Sequence, residues 1–184
     1  EGAIIITDDA GSYAGPLQAK IKELGGRAVI AHLADTAKQL GEDDFAVNLT
    51  NPEDVRSFVE QLRASYKFIG GIIHLLALRD NPGWEITKAE SWPRYLNEEV
   101  KSFYHILKAC ASDLKNGQPK WVIGCTKLGG ESDNGNYPAP DYPWRGGITG
   151  IIKTIALEWP NAVCKSIDID KGISAQELAL RILA

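Results

Sequence analysis

Hydrophobic positions along the chain fall into short continuous runs that alternate with stretches of helical spacing. Ala3 to Thr7 is an apolar run ending in turn residues, the pattern of a strand buried on both faces. From about Ala14 to Leu24, Leu17, Ile21 and Leu24 share one helical face, and Gly25-Gly26 stops the helix. Arg27–Leu33 and Asp44–Asn48 read as the next two strands. Asn51-Pro52-Glu53-Asp54 opens a helix with a cap, a first-turn proline and two acids at the positive helix end. That helix runs to about Tyr66 on the apolar face of Val55, Phe58, Val59 and Leu62. Phe68 to Leu76 is strongly apolar and predicts a central strand. A long helix is predicted over Pro93–Lys115, a strand over Pro119–Cys125, a helix over Gly147–Trp159 and a strand over Val163–Ile169. Ser174-x-x-Glu177 is a capping box that opens the last helix.

Six strands alternating with helices imply a parallel sheet covered on both faces. The right-handed crossover rule makes 3-2-1-4-5-6 the expected strand order. The fold class predicted is therefore α/β: a doubly wound, mostly parallel, Rossmann-like sheet of about six strands. Residues 1–184 form one domain. Thr126 to Gly146 carries no periodicity and is rich in Gly, Pro, Asp and Asn, a long connection for a compact domain and a possible contact loop in which Tyr142 and Trp144 are either interface or core residues.

Composition narrows the function. Hydrophobic residues make up 44% and charged residues 24%, an ordinary globular balance. A net charge of −4, with no dense Lys/Arg run, argues against nucleic acid or an anionic membrane as the main partner. No apolar run approaches the roughly 20 residues that span a bilayer, and no signal peptide is visible. Cys110, Cys125 and Cys164 are widely spaced among apolar neighbours and read as free thiols in a reducing compartment, so a cytoplasmic location is expected. His32, His74 and His105 have no metal-ligand spacing, and His74 reads as a hydrogen-bonded core histidine. The chain lacks methionine, opens directly into a strand and ends in a helix without a stop signal, as expected of a piece of something longer.

In a doubly wound fold the turn after the first strand carries glycines, because backbone must approach a pyrophosphate closely at a helix N-terminus. Here the turn reads Thr7-Asp8-Asp9-Ala10-Gly11-Ser12-Tyr13-Ala14-Gly15. Aligned on the threonine that ends the first strand in short-chain reductases, the fingerprint glycines fall on Asp8, Ser12 and Ala14. A register that starts from Gly11 recovers Gly15 but puts Leu17 third. Neither gives GxGxxG or TGxxxGxG. A carboxylate 4 Å from one phosphate charge costs about 1 kcal/mol in water and about 4 kcal/mol at a surface-like dielectric. Asp8 and Asp9 would both face the phosphates, so no cofactor-binding residue is assigned. A cation site on the two acids has no third ligand in reach, and no metal-binding residue is assigned either.

Short-chain reductases also place Tyr-x-x-x-Lys on the helix after strand five and a serine at that strand's end. The tyrosine acts as acid–base and the lysine lowers its pKa. Counting back from Gly150–Glu158 puts the lysine position on Arg145 and the tyrosine position on Asp141, and Thr126 stands near the serine position. Thr126, Tyr142 and Arg145 form a near-miss set, but Tyr142-x-x-Arg145 is one residue short and arginine cannot replace the lysine unchanged. Tyr104-x-x-x-Lys108 matches by letters, yet it lies in the middle of the helix before strand five. Tyr104, Ile106 and Leu107 read as packing there and Lys108 as a solvated end. No catalytic residue is assigned.

Gly147-Ile-Thr-Gly-Ile-Ile-Lys-Thr-Ile-Ala-Leu-Glu-Trp-Pro160, Ser166-Ile-Asp-Ile-Asp170, the capped terminal helix and the opening Ile4-Ile-Ile-Thr-Asp-Asp9 resemble the structural subdomain of ketoreductase domains in type I polyketide synthases. The variant Lys153-Thr-Ile-Ala-Leu-Glu-Trp-Pro160 leans towards the iterative or polyunsaturated-fatty-acid type. That resemblance covers the whole chain, by letters chiefly over 147–170 and elsewhere by element order. It implies a truncated short-chain reductase fold without cofactor binding. Such a subdomain packs on a catalytic ketoreductase subdomain, which holds NADPH and reduces carrier-bound β-ketoacyl thioesters, among neighbouring synthase domains. Two other functions compete with it. One is a stand-alone reductase using Tyr142 and Arg145; the other is a free-standing interaction module with an apolar patch near Trp144 and the terminal helix.

Overall fold

The computed structural model describes residues 2–80, 89–116, 120–127, 142–169 and 172–184. Its strands are β1 (Ala3–Thr7), β2 (Arg27–Leu33), β3 (Lys38–Gln39), β4 (Asp44–Val47), β5 (Ile69–His74), β6 (Lys120–Thr126) and β7 (Ala162–Asp168). They form one sheet in the order β3-β4-β2-β1-β5-β6-β7. All neighbours are parallel except β3 on β4. Without β3, the order is the 3-2-1-4-5-6 expected from crossover handedness. The extra strand is two exposed polar residues that pair with Ala46 and Phe45, too short to leave a periodic signal.

Register explains the consecutive isoleucines of β1. Ile5 lies level with Val29 and Ile72, and Val122 continues the row. Ile6 lies level with Ile30 and Ile73, with Ile123 beyond. Successive side chains point to opposite faces, so each isoleucine enters a different core. The Ile5 row packs with α2 (Pro52–Ser65), α4 (Ser102–Lys115) and α5 (Gly146–Glu158) through Phe58, Phe103, Ile106 and Ile148. The Ile6 row packs with α1 (Ala14–Glu23) and α6 (Ala175–Leu183) through Leu17, Ile21, Leu178 and Ile182.

Helix ends follow the sequence signals. Asn51 accepts the Glu53 N–H at 2.9 Å, and Ser174 accepts the Glu177 N–H at 3.1 Å. Gly25, at φ 82°, ends α1 in the left-handed region that glycine adopts without strain. The predicted helix over 93–115 is instead α3 (Trp92–Tyr95), a π-helical turn (Leu96–Lys101) and α4. Beyond β6, residues 128–141 lie outside the described set, and with them most of the aperiodic stretch. Its end is described: a 3₁₀ turn at Pro143–Arg145 leads into α5. A Cβ on Gly124 would meet Ile148 Cγ2 at 2.6 Å, and one on Gly147 would meet Val100 Cγ1 at 2.9 Å. Both glycines let the start of α5 sit close to β6 and the π turn.

Candidate functional site

Ligands of open doubly wound sheets bind beyond the C-terminal strand ends, at the point where strand order reverses. Here that point lies between β1 and β5. Thr7 Oγ1 accepts the N–H groups of Leu75 and Leu76 at 2.9 and 3.1 Å, which occupies its lone pairs. Its one hydrogen therefore goes to His74 Nδ1, 3.0 Å away. The tautomer follows: His74 carries its proton on Nε2 and donates it to the Glu99 carbonyl at 2.7 Å. Burial drives the imidazole pKa down to about 4, so the ring is neutral, and it stacks on Phe103 at 4.7 Å. His74 is the core histidine that its sequence context suggested.

Past β1 the chain turns through Asp8 and Asp9. Asp9 is buried, and its carboxylate folds back onto the start of α1. It accepts the N–H groups of Ser12 at 2.9 Å, Tyr13 at 3.1 Å and Ala14 at 3.0 Å. Donors of this kind hold phosphates at helix N-termini; here an internal carboxylate satisfies all three. Ala10 takes φ 67°, a left-handed backbone that costs a residue with a Cβ about 1–2 kcal/mol. Asp8 turns the other way, 2.8 Å from His32 Nδ1, while His32 Nε2 lies 3.4 Å from Asp44. Asp8 and Asp9 thus have separate partners. Among the described residues no cluster of three or more His, Cys, Asp or Glu could hold a metal ion.

The near-miss set is dispersed in its chemistry. Thr126 is buried, and its hydroxyl donates to Asp168 on β7 at 2.9 Å. Arg145, in the lysine position, is fully buried. Its Nε donates to Glu99 Oε2 at 2.7 Å and its Nη2 to Glu99 Oε1 at 3.1 Å, a bidentate pair. Nη2 also donates to the Arg79 carbonyl at 2.7 Å, and Nη1 to that of Lys127 at 3.2 Å. Tyr142 packs its ring under the guanidinium at 3.8 Å. Arg145 therefore joins the chain after β5, the π turn, the end of β6 and the start of α5. Asp141, the tyrosine position, lies outside the described residues, as does Asp170.

Trp144, interface or core by sequence, belongs to the core. It is buried, donates from Nε1 to Glu99 Oε2 at 2.8 Å and stacks on Tyr95 at 5.2 Å. Tyr104 departs from the expected packing role: it is 51% exposed, while Ile106 and Leu107 on the same helix are buried. Glu99 is the residue that the sequence analysis missed, although a signal was present. Continuing the buried α4 face backwards from Cys110, Ile106 and Phe103 arrives at position 99, an acid where the pattern demands an apolar residue.

The fold and this site can be set beside known proteins. A family model described as enoyl-(acyl carrier protein) reductase matches residues 21–166. The 3-oxoacyl-[acyl-carrier-protein] reductase FabG of Haemophilus influenzae is 26% identical over 140 residues, 74% of this chain and 54% of that protein. The chain thus spans about half the length of the curated relative it matches. A metagenomic short-chain oxidoreductase solved in complex with NADP superposes with a TM-score of 0.78 at 16% identity, over 99% of this chain and 88% of that one. An apo short-chain oxidoreductase of Clostridium thermocellum gives 0.78 at 14% identity, over 100% and 85%. The ligand-free aldohexose dehydrogenase of Thermoplasma acidophilum gives 0.67 at 15% identity, over 90% and 65%. At such identities these structures share the fold.

Proposed function

Because this chain belongs to the short-chain dehydrogenase/reductase family, shown by a model matching residues 21–166, we propose that it serves as a non-catalytic member of it. In this reading it is the structural half of a ketoreductase in a polyketide or related fatty acid synthase. It packs on and stabilises a catalytic half that binds NADPH and reduces carrier-bound β-ketoacyl thioesters.

The observation that carries the reading is the occupation of both functional positions by the chain's own side chains. A pyrophosphate at the start of α1 needs the N–H groups that Asp9 already holds. The acid–base step needs a lysine beside a tyrosine, and Arg145 in that position is committed to Glu99 and two carbonyls. Releasing it would leave the Glu99 carboxylate buried without its cation, which costs several kcal/mol. The residues present do not fit a nicotinamide dinucleotide. Loss of both sets alongside an intact fold suits a scaffold, since the buried network stabilises the very strand ends that a catalyst would keep open.

The names of the relatives favour a second reading, a divergent reductase, for which Tyr142 and Arg145 would be the candidate residues. Ketone-dependent NADPH oxidation separates the two. The scaffold reading expects no rate above background from the chain alone; a rate that disappears in Tyr142→Phe would overturn it. A cytoplasmic setting completes the proposal. Among the described residues, no helix is long and apolar enough to cross a membrane.

A further inference from the structure

A cleft lies between the β3–β4 hairpin and α2, near the N-terminal ends of β2 and β4 and thus at the opposite end of the sheet from the switch-point crevice. Its main cavity measures about 430 Å³, within the roughly 300–1,000 Å³ of sites that hold small molecules. A side cavity of about 220 Å³ shares Gln39, Phe45 and Gln61 with it and extends along α2 to Ser57. Ser57, Gln61 and Ser65 are four residues apart, so one polar stripe of α2 walls the whole cleft. The opposite walls are fixed. Leu40 and Gly41 donate their N–H groups to the Asp44 carbonyl at 2.8 and 3.1 Å, which closes the hairpin. Tyr66, just past α2, donates its hydroxyl to the buried Asp43 carboxylate, which Lys22 Nζ also holds at 2.8 Å. Burial, and then the bond to Asp43, push the Tyr66 phenol up to about 12, so its proton stays on that bond. Phe45 is buried and packs on Phe58 with ring centroids 5.4 Å apart.

The hydrogens on these walls are largely committed and the lone pairs are not. Gln39 Nε2 donates to the Gly41 carbonyl at 3.0 Å, which leaves its amide oxygen, and Tyr66 has given its proton to Asp43. The side chains of Glu42, Gln61 and Ser65 have no hydrogen-bond or ion-pair partner among the described residues. We infer that the cleft binds a neutral saccharide, with one sugar ring in the main cavity and a second along α2. A wall rich in acceptors needs a ligand that donates, and a hydroxyl donates to Gln39, Glu42 and Tyr66 while accepting from Gln61 and Ser65. Glu42 repels an anion, and Arg27, which also lines the cavity, repels a cation, so the donor is uncharged. An apolar ligand would strip water from these groups without pairing them. The half-buried Tyr66 ring supplies apolar surface for the C–H face of a sugar. This inference is independent of the scaffold reading, since it uses neither the loop after β1 nor the Arg145 network.

The test titrates the ¹⁵N-labelled chain with glucose, maltose and cellobiose, and with glycine and acetate as charged controls. The expected result is a set of saturable amide shifts confined to 38–46 and 57–66, with at least one disaccharide binding more tightly than glucose. Gln61→Ala, at an exposed helix position where alanine suits the backbone, should weaken that binding about fivefold, the scale of one or two lost hydrogen bonds. If that variant perturbs the fold, Ser65→Ala repeats the test from the same stripe. No saturable shift with any of the three sugars, shifts centred elsewhere, tighter binding of glycine or acetate, glucose binding as tightly as both disaccharides, or undiminished affinity in the variant would each overturn the inference.

Discussion

The Arg145 guanidinium and the Glu99 carboxylate face each other with both side chains fully buried, Nε to Oε2 at 2.7 Å and Nη2 to Oε1 at 3.1 Å. Trp144 also donates to Glu99, and Arg145 also donates to two backbone carbonyls. Breaking a buried pair by removing one partner costs about 3–5 kcal/mol, because the other charge stays in a low-dielectric interior. Arg145→Met and Glu99→Gln should each lower the unfolding free energy by that order, read from urea denaturation curves. The double variant should lose clearly less than the sum of the two. Additive losses would show that the pair is not coupled as its geometry requires.

Asp9 acts as an internal anion at the start of α1. Asp9→Ala removes the acceptor for three backbone donors and should cost about 1–2 kcal/mol of unfolding free energy, the scale of a lost cap. Asp9→Asn keeps an acceptor oxygen and should cost less. Amide exchange at Ser12, Tyr13 and Ala14 reads the effect directly. Unchanged protection in the alanine variant would contradict the role assigned to this carboxylate.

His74 links stability to pH. Its folded pKa, near 4, lies below the ordinary histidine value of 6.5, so between the two the unfolded chain binds more protons. The stabilisation is complete above about pH 6.5 and is lost as pH falls towards 4. Each pKa unit is worth about 1.4 kcal/mol, which makes the whole effect roughly 3–4 kcal/mol. Denaturation curves between pH 7 and 4 should show the decline in the native chain and a flatter profile in His74→Gln. A ring nitrogen spectrum at pH 6 should show neutral imidazole with the proton on Nε2.

Thiol reactivity should rank by burial. Cys110 and Cys125 are buried, and desolvation pushes both thiols up, Cys125 to about 12. Cys164 is only partly covered and is raised less far by the same cause. A maleimide should label Cys164 first in the native chain, with the other two following only in denaturant. Early labelling of Cys110 would contradict the packing beneath α4.

Much of this fold was legible from residue pattern alone. Runs such as Ile4-Ile5-Ile6 signal strands covered on both faces, and caps at Asn51 and Ser174 mark helix starts that the structure places within a residue. Strand order followed from handedness. Lys38–Gln39 escaped because two exposed polar residues bury nothing and so leave no pattern. The π turn escaped because a widened turn shifts hydrogen bonds without changing residue type. For the site, the wrong residues at the phosphate and lysine positions could be read, but what they do instead could not. By sequence Asp9 is merely repulsive; in the fold the N–H groups at the start of α1 converge on it. By sequence Arg145 is merely a poor lysine; in the fold Glu99, 46 residues earlier, is brought against it by the close approach of α5 to the π turn.

The most direct test of the account is a calorimetric titration of the chain with NADPH, run beside a cofactor-binding short-chain reductase as positive control. With Asp9 holding the donors of α1 and Arg145 held by Glu99, the account predicts no saturable heat up to millimolar cofactor. Saturable binding at micromolar concentration would contradict it, and the chain would then be judged as a reductase.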